Sequence, residues 1–370
     1  MSSIKFELAT ENDEADLRRL LRENPIPGAI SVSFEREPNY FHASAIEGAF
    51  HQTLIAREAG AGVIGVGNRS VRQMFVNGVP REVGYMSQLR IHPKYGQGLF
   101  LARGLAQGFK LYRTLHTDGR APFYLMSIIA DNVAARRLLT SRLPGYPHAR
   151  EVARMLTCAI YPVRRRRALP LPRSLQLVRG NDAHANEIVD CLNRNGARKQ
   201  FAPFWTRESL FASNLSPDDF FLILDRAQVV GCLALWDQTP FKQTIIRGYA
   251  GTLAVWRKLL NLFAPLGMFP HLPDPGTPLP YSYASCLAID DDDPALFAAL
   301  LRALYNHNLE RGYRYFMIGL AESNLLHKVV KRYRPLTYAS QLYLVAWEDG
   351  ADAVADVDTK IIPAPEIATL

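Results

Sequence analysis

Residues 85–105, YMSQLRIHPKYGQGLFLARGL, carry the densest chemical pattern in the chain. Residues 85–91 read as a strand. Pro93 cannot donate to a sheet ladder and ends it, and Gly96 and Gly98 allow positive φ and close backbone approach before a helix begins at Leu99. A strand, a tight glycine turn and a helix N-terminus aim several unpaired backbone N–H groups at one point, and the helix dipole makes that point attractive to phosphate. The simplest ligand is a pyrophosphate; the plain alternative is a turn and nothing more.

The run His92-Pro93-Lys94-Tyr95-Gly96-Gln97-Gly98-Leu99 resembles the HPxYRGxGxG signature of the GNAT superfamily, the acyl-CoA-dependent N-acyltransferases. A second match follows at the family's distance. After the polar break His116-Thr117-Asp118-Gly119-Arg120, a strand over 123–129 leads into Asp131-Asn132-Val133-Ala134-Ala135, similar to the family's strand and NxxA helix. The residue expected before the first glycine is missing, with Lys94 or Gln97 as substitutes, and Leu139 stands where many members carry a tyrosine acid. The resemblance implies an α/β fold with a mixed, mostly antiparallel sheet flanked by helices. It also implies acetyl-CoA or another acyl-CoA as co-substrate, with no metal. Backbone groups of Gln88, Leu89, Arg90 and Ile91 would pair with the pantetheine arm. The N–H groups of Tyr95, Gly96, Gln97, Gly98 and Leu99 would hold the pyrophosphate beside Lys94, with Asn132 and Ala135 next to the arm.

N-acyl transfer needs a thioester held still, an amine made neutral, and a group to protonate what leaves. Candidate bases are Glu82, Tyr85 and Ser87 on or before the central strand. Period-2 alternation puts Tyr85, Ser87 and Leu89 on one face, with Glu82 on the other parity unless a bulge intervenes. His92 at the strand end has a side chain suited to base work. Tyr124 and Tyr146 are the tyrosines nearest in sequence for the acid role.

The chain has 370 residues, enough for two domains, and 48% apolar with 21% charged residues is the balance of a globular protein. Cys158, Cys191, Cys232 and Cys286 are widely spaced within apolar runs, which suits buried reduced thiols rather than zinc or redox chemistry. The first twenty residues carry acids and no long apolar stretch, and no run reaches membrane-spanning length, so a cytoplasmic location is expected. The net charge of +8 suits an anionic partner without choosing among CoA phosphates, nucleic acid and a lipid surface.

In chain order, residues 4–10 read as a strand, and a helix follows with Leu17, Leu20 and Leu21 on one face. Residues 25–50 form an aromatic arm. Strands at 52–57, 62–72 and 82–91 follow, with Asn77-Gly78 as a hairpin turn. Residues 146–163 close the first sheet. The expected units are therefore 1–163, an acyl-CoA-binding domain; 164–173, an arginine and proline connector; 174–350, a second GNAT-like domain with an insert at 237–280; and a tail, 351–370.

The second half repeats the order of the first, with strands at 175–178, 220–224, 229–236, 281–288, 313–320 and 341–347, and helices at 183–195, 294–311 and 324–333. Its turn is Ile289-Asp290-Asp291-Asp292-Asp293-Pro294, whose carboxylates cap a helix well and repel a pyrophosphate. A metal site is the rival reading of this run, but EF-hand spacing is absent. The helix at 252–263 is expected to bury against the other domain, with a membrane-surface role as the alternative. Together these features point to an N-acyltransferase acting on a primary amine, with nucleic acid not expected as partner. Two other readings remain: a Fem-like transferase fed by aminoacyl-tRNA, and a non-catalytic acyl-CoA sensor or scaffold.

Overall fold

The computed structural model describes residues 4–96, 98–115, 121–264 and 271–370. The first half runs β1 (Ile4–Leu8), α1 (Glu14–Glu23), β2 (Ile30–Glu35), α2 (Tyr40–Glu47), β3 (Phe50–Glu58), β4 (Gly62–Val76) and β5 (Val79–Ile91). It continues through α3 (Gly98–Leu115), β6 (Tyr124–Ile129), α4 (Val133–Leu139) and β7 (His148–Ile160). The second half opens with β8 (Leu175–Arg179), α5 (Ala185–Gly196), α6 (Arg207–Phe211), β9 (Phe220–Asp225) and β10 (Gln228–Trp236). Then come β11 (Gln243–Tyr249), α7 (Gly251–Phe263), β12 (Tyr281–Ile289), α8 (Pro294–Glu310), β13 (Tyr315–Ala321), α9 (His327–Lys331), β14 (Leu336–Ala346) and α10 (Ala351–Ala355).

Local chemistry accounts for most of these elements. The α1 stripe of Leu17, Leu20 and Leu21 is buried to 2% exposure or less. Asn77 and Gly78 both take positive φ, 52° and 82°, as a two-residue hairpin turn between β4 and β5 requires. Helix α3 covers one face of the first half with Leu105, Phe109 and Tyr112, while α1 and α2 cover the other. In the second half, α8 packs Leu300, Leu301 and Leu304 on one face and α5 packs Ile188 and Cys191 on the other. All four cysteines are buried and free.

The two halves share one 12-stranded sheet, ordered β1-β3-β4-β5-β6-β14-β7-β13-β12-β10-β9-β8. Residues 146–163 were expected to close the first sheet, but β7 does not pair with β6. Instead β14 lies antiparallel between β6 and β7, and β7 pairs on its other side with β13. Each half thus lends its last strand to the other. Apolar alternation specifies that a strand forms and which face is buried; it does not specify the edge the strand joins.

The arginine run bridges the halves against the second one: Arg165 pairs with Glu310 at 2.6 Å, and Arg166 stacks over Tyr305 and Tyr333. In the acidic run, the Asp293 side chain accepts the Ala295 N–H at 2.7 Å and caps α8. Asp290 pairs with Arg194 at 3.0 Å and Asp292 with Lys199. The aromatic arm and the insert meet as a separate two-stranded sheet of β2 and β11. One expectation is corrected here: α7 buries none of its residues, leaving Val255 and Leu262 at 76% and 70% exposure. The helix is tied down instead by polar contacts, Arg257 to Asp274 at 2.7 Å and Asn261 to the Leu272 backbone. No helix among the described residues is long and apolar enough to cross a membrane.

Candidate active site

Strands β5 and β6 run parallel through Gly84–Tyr124, Tyr85–Leu125 and Met86–Met126, and their pairing stops there. Past that point β6 stays with β14 as far as Ile129–Ser340, so a gap opens between β5 and β6. A bulge marks the parting. Gln88 and Leu89 both lie between the pairs Asn68–Ser87 and Val66–Arg90, and Gln88 takes φ 54°, a conformation rare for a non-glycine residue. Gln88 Oε1 is buried without a hydrogen-bond partner among the described residues.

The same device recurs in the second half. Strands β12 and β13 pair in parallel only from Tyr281–Tyr315 to Tyr283–Met317, and the bulge falls at Cys286, φ 52°. There the chain fills its own gap. Glu366 Oε2 accepts the Cys286 N–H at 2.8 Å, and Ile367 packs so closely on Gly319 that an added Cβ would come within 2.5 Å of it. Burial raises the Glu366 carboxyl above its ordinary value, and the Cys286 thiol rises as well, from burial and then the Glu366 charge. The final segment thereby packs across the sheet, and Thr369 Oγ1 accepts from Arg72 of the first half at 3.0 Å.

Two parallel strands splayed at a bulge, with a turn and helix beyond, appear twice in one continuous sheet. No family model matches the sequence, and no curated protein matches it. Solved structures do match. Yeast N-myristoyltransferase from Saccharomyces cerevisiae, solved with bound myristoyl-CoA, superposes with TM-score 0.60 at 12% identity, over 93% of this chain and 83% of that one. A GCN5-related N-acetyltransferase from Sphaerobacter thermophilus gives 0.51 at 13% identity, over 79% of each chain. A probable N-acyltransferase from Enterococcus faecalis gives 0.51 at 8% identity, over 93% of this chain and 72% of that one. The chain has the GNAT fold. It carries that fold twice, as two lobes on a common sheet.

Within this GNAT fold the glycine turn lies where β5 gives way to α3. Pro93–Tyr95 form a short 3-10 turn, and His92 Nδ1 accepts the Lys94 N–H at 3.3 Å. Gly98 has φ 64°, and a Cβ there would meet nothing within 4 Å, whereas Gly96 sits at φ −83° and needs no left-handed freedom. Gln97 lies outside the described residues; Leu99 continues the first turn of α3. Lys94 Nζ lies 5.3 Å from the Tyr95 ring, and the Tyr95 hydroxyl donates to Glu58. A cavity of about 360 Å³ adjoins the turn, with Arg19, His92, Lys94 and Tyr95 in its wall. Leu89 is 36% exposed at the bulge, and Ile91 packs toward α3. Asn132 caps α4 by accepting the Ala135 N–H at 3.1 Å.

The other candidates separate by face. Glu82, Gly84 and Met86 alternate toward the α3 side, as does Tyr124, whose hydroxyl accepts from Arg69 Nη1 at 2.8 Å. Tyr146 donates to the Ala102 carbonyl of α3 at 3.1 Å. The bulge lies after Ser87, too late in β5 to bring Glu82 across. Tyr85, Ser87 and Arg90 face α2, where sequence reasoning named no partner. Ser87 Oγ donates to Glu47 Oε2 at 3.3 Å, and the other Glu47 oxygen takes the Arg36 guanidinium. Tyr40 donates to Asn68 at 2.9 Å, and burial lifts its hydroxyl to about 12. Burial first, then the Glu47 charge, also raises the Tyr85 hydroxyl.

Lys242 from the insert completes this wall. Its Nζ donates to the Ala368 carbonyl at 3.2 Å, and burial lowers its ammonium to about 8. Glu47 and Arg36, Lys242, and Arg72 come from three separate stretches of chain. Their signal in sequence was slight: a glutamate and an arginine inside an aromatic arm, and a lysine in an insert.

Proposed function

We propose that the protein is an N-acyltransferase that moves an acetyl or longer acyl group from acyl-CoA to a primary amine. One observation carries the reading: the first half keeps a strand bulge, a splayed strand pair and an open glycine turn in series, while the second half closes its gap with Glu366 and Ile367. Acyl-CoA would be the co-substrate, with its phosphates at Lys94, Gly96 and Gly98 and its pantetheine arm along Gln88–Ile91. The fold neighbour solved with myristoyl-CoA supports an acyl-CoA site of this kind.

In this reading the amine enters from the α2 side. Its nitrogen attacks the thioester carbonyl, the carbon–sulfur bond breaks, and CoA leaves as a thiolate that is protonated from solvent. The ammonium proton passes to the Glu47 carboxylate by way of the Ser87 hydroxyl, which already donates to it. Glu82 and Tyr124 stay outside this step because they face α3.

Release of free CoA thiol from acetyl-, octanoyl- and myristoyl-CoA, measured against a panel of primary amines, tests the reading. Amine-dependent release with any donor supports it. Binding of acyl-CoA without release across the panel favours the non-catalytic sensor, and no response to any acyl-CoA removes the basis for both.

A further inference from the structure

The wall around Glu47 holds more cations than carboxylates. Arg36 is paired with Glu47 and Ser44. Arg72, Arg90 and Lys242 form no ion pair among the described residues, and Lys242 donates to the Ala368 carbonyl. Among the described residues Arg72 donates to Thr369 Oγ1 at 3.0 Å and Arg90 only to its neighbour's carbonyl, Leu89 O, at 2.8 Å. Neither meets a carboxylate within ion-pair distance. Both guanidiniums keep some solvent contact yet are ringed by protein, and desolvation pulls each below its ordinary value. Arginine cannot shed its proton, so this burial is a standing cost that an incoming anion relieves.

Glu366, and then Glu47, act on the Arg72 charge through space without reaching ion-pair distance, and both are already held by other donors. Glu47 is engaged by Arg36 and Ser87, and Glu366 is held by the backbone N–H groups of Cys286 and Ala368. The Arg72 guanidinium lies 4.9 Å above the Trp205 ring, which fixes its plane. A planar fork so held matches a carboxylate, which it binds through two parallel hydrogen bonds. Arg72 lies on the same face of the sheet as Ser70, Tyr85 and Ser87, away from α3 and the glycine turn, so the CoA phosphates do not answer this charge.

We propose that the acceptor is an amino acid or a closely related molecule carrying a carboxylate as well as its primary amine. The carboxylate is bound by Arg72, and the amine is directed toward Ser87 and Glu47. The proposal rests on the acyltransferase reading above and narrows its substrate class.

Paired acceptors test it: glycine, β-alanine, 4-aminobutanoate and 6-aminohexanoate, each against its primary amide, with acetyl- and myristoyl-CoA as donors and CoA thiol as readout. O-Phosphoethanolamine is included as a phosphate-bearing amine. At least one acid should exceed its amide by roughly 10-fold to 100-fold in kcat/KM, the value of one charge-assisted contact. Arg72→Met should erase that preference mainly through KM, and Arg72→Lys should restore part of it. Calorimetric acyl-CoA affinity, unchanged in both variants, shows that the fold is intact. Amides used as well as acids, or phosphoethanolamine preferred over every acid, would overturn the proposal while leaving acyl transfer standing. No release with any amine would instead remove the acyltransferase reading, and the proposal with it.

Discussion

Replacing Lys242 with methionine should stabilise the protein near neutral pH. Burial pulls the Lys242 ammonium from 10.5 down to about 8, with the Glu47 charge opposing that shift and Arg36 adding to it. The folded value lies below the unfolded one, so the charged amine opposes folding throughout the range below about 8. That cost fades as pH rises from 8 toward 10.5. At about 1.4 kcal/mol per pKa unit, the cost is about 3 kcal/mol. Methionine forfeits the bond to the Ala368 carbonyl, worth about 1 kcal/mol, which leaves a net gain of about 2 kcal/mol at pH 7. Urea unfolding of both proteins between pH 6.5 and 9.5 measures it. The gain should shrink toward zero at the alkaline end, where the wild-type amine is increasingly neutral. A variant less stable than wild type by the same amount at every pH would refute the reasoning.

Other outcomes follow from the same contacts. Glu47→Gln leaves Arg36, 1% exposed, without its carboxylate, and should cost roughly 3 kcal/mol in denaturant unfolding; a second change, Arg36→Met, should recover most of that stability without restoring CoA release. At Gly84, an added Cβ would lie 2.0 Å from a Tyr124 ring carbon, so Gly84→Ala should cost roughly 3 kcal/mol. Thermal unfolding measures this, and pairing the change with Tyr124→Leu should relieve it.

What could be read in sequence was what neighbouring residues dictate to one another. Pro93, Gly96 and Gly98 punctuate a strand and a helix whatever the rest of the chain does, and Asn77-Gly78 makes its turn with two residues. The acidic run at 290–293 also behaves locally, capping α8, though its pairing with Arg194 and Lys199 depends on α5 lying alongside. The exchange of β7 and β14 was hidden because both are apolar strands that could close either half. The bulges at Gln88 and Cys286 were hidden too, since neither residue is a glycine. The α2-side wall was least accessible. Glu47 and Lys242 lie almost two hundred positions apart in the chain, and Glu366 more than a hundred further on, in no shared local pattern. In α7, apolar residues on most faces suggested burial, yet Val255 and Leu262 remain in solvent.

Calorimetric titration with acetyl-CoA and myristoyl-CoA, on the wild type and on Gly98→Asp, tests the central claim most directly. An added Cβ at Gly98 meets nothing within 4 Å among the described residues, so aspartate adds a carboxylate to the turn. The backbone cost is that of its left-handed φ of 64°, roughly 1–2 kcal/mol, a conformation aspartate adopts more readily than most residues. Binding of one equivalent by the wild type, lost in the variant, is the predicted result. Binding of two equivalents, unchanged affinity in Gly98→Asp, or no binding by the wild type would contradict an acyl-CoA site confined to the first half.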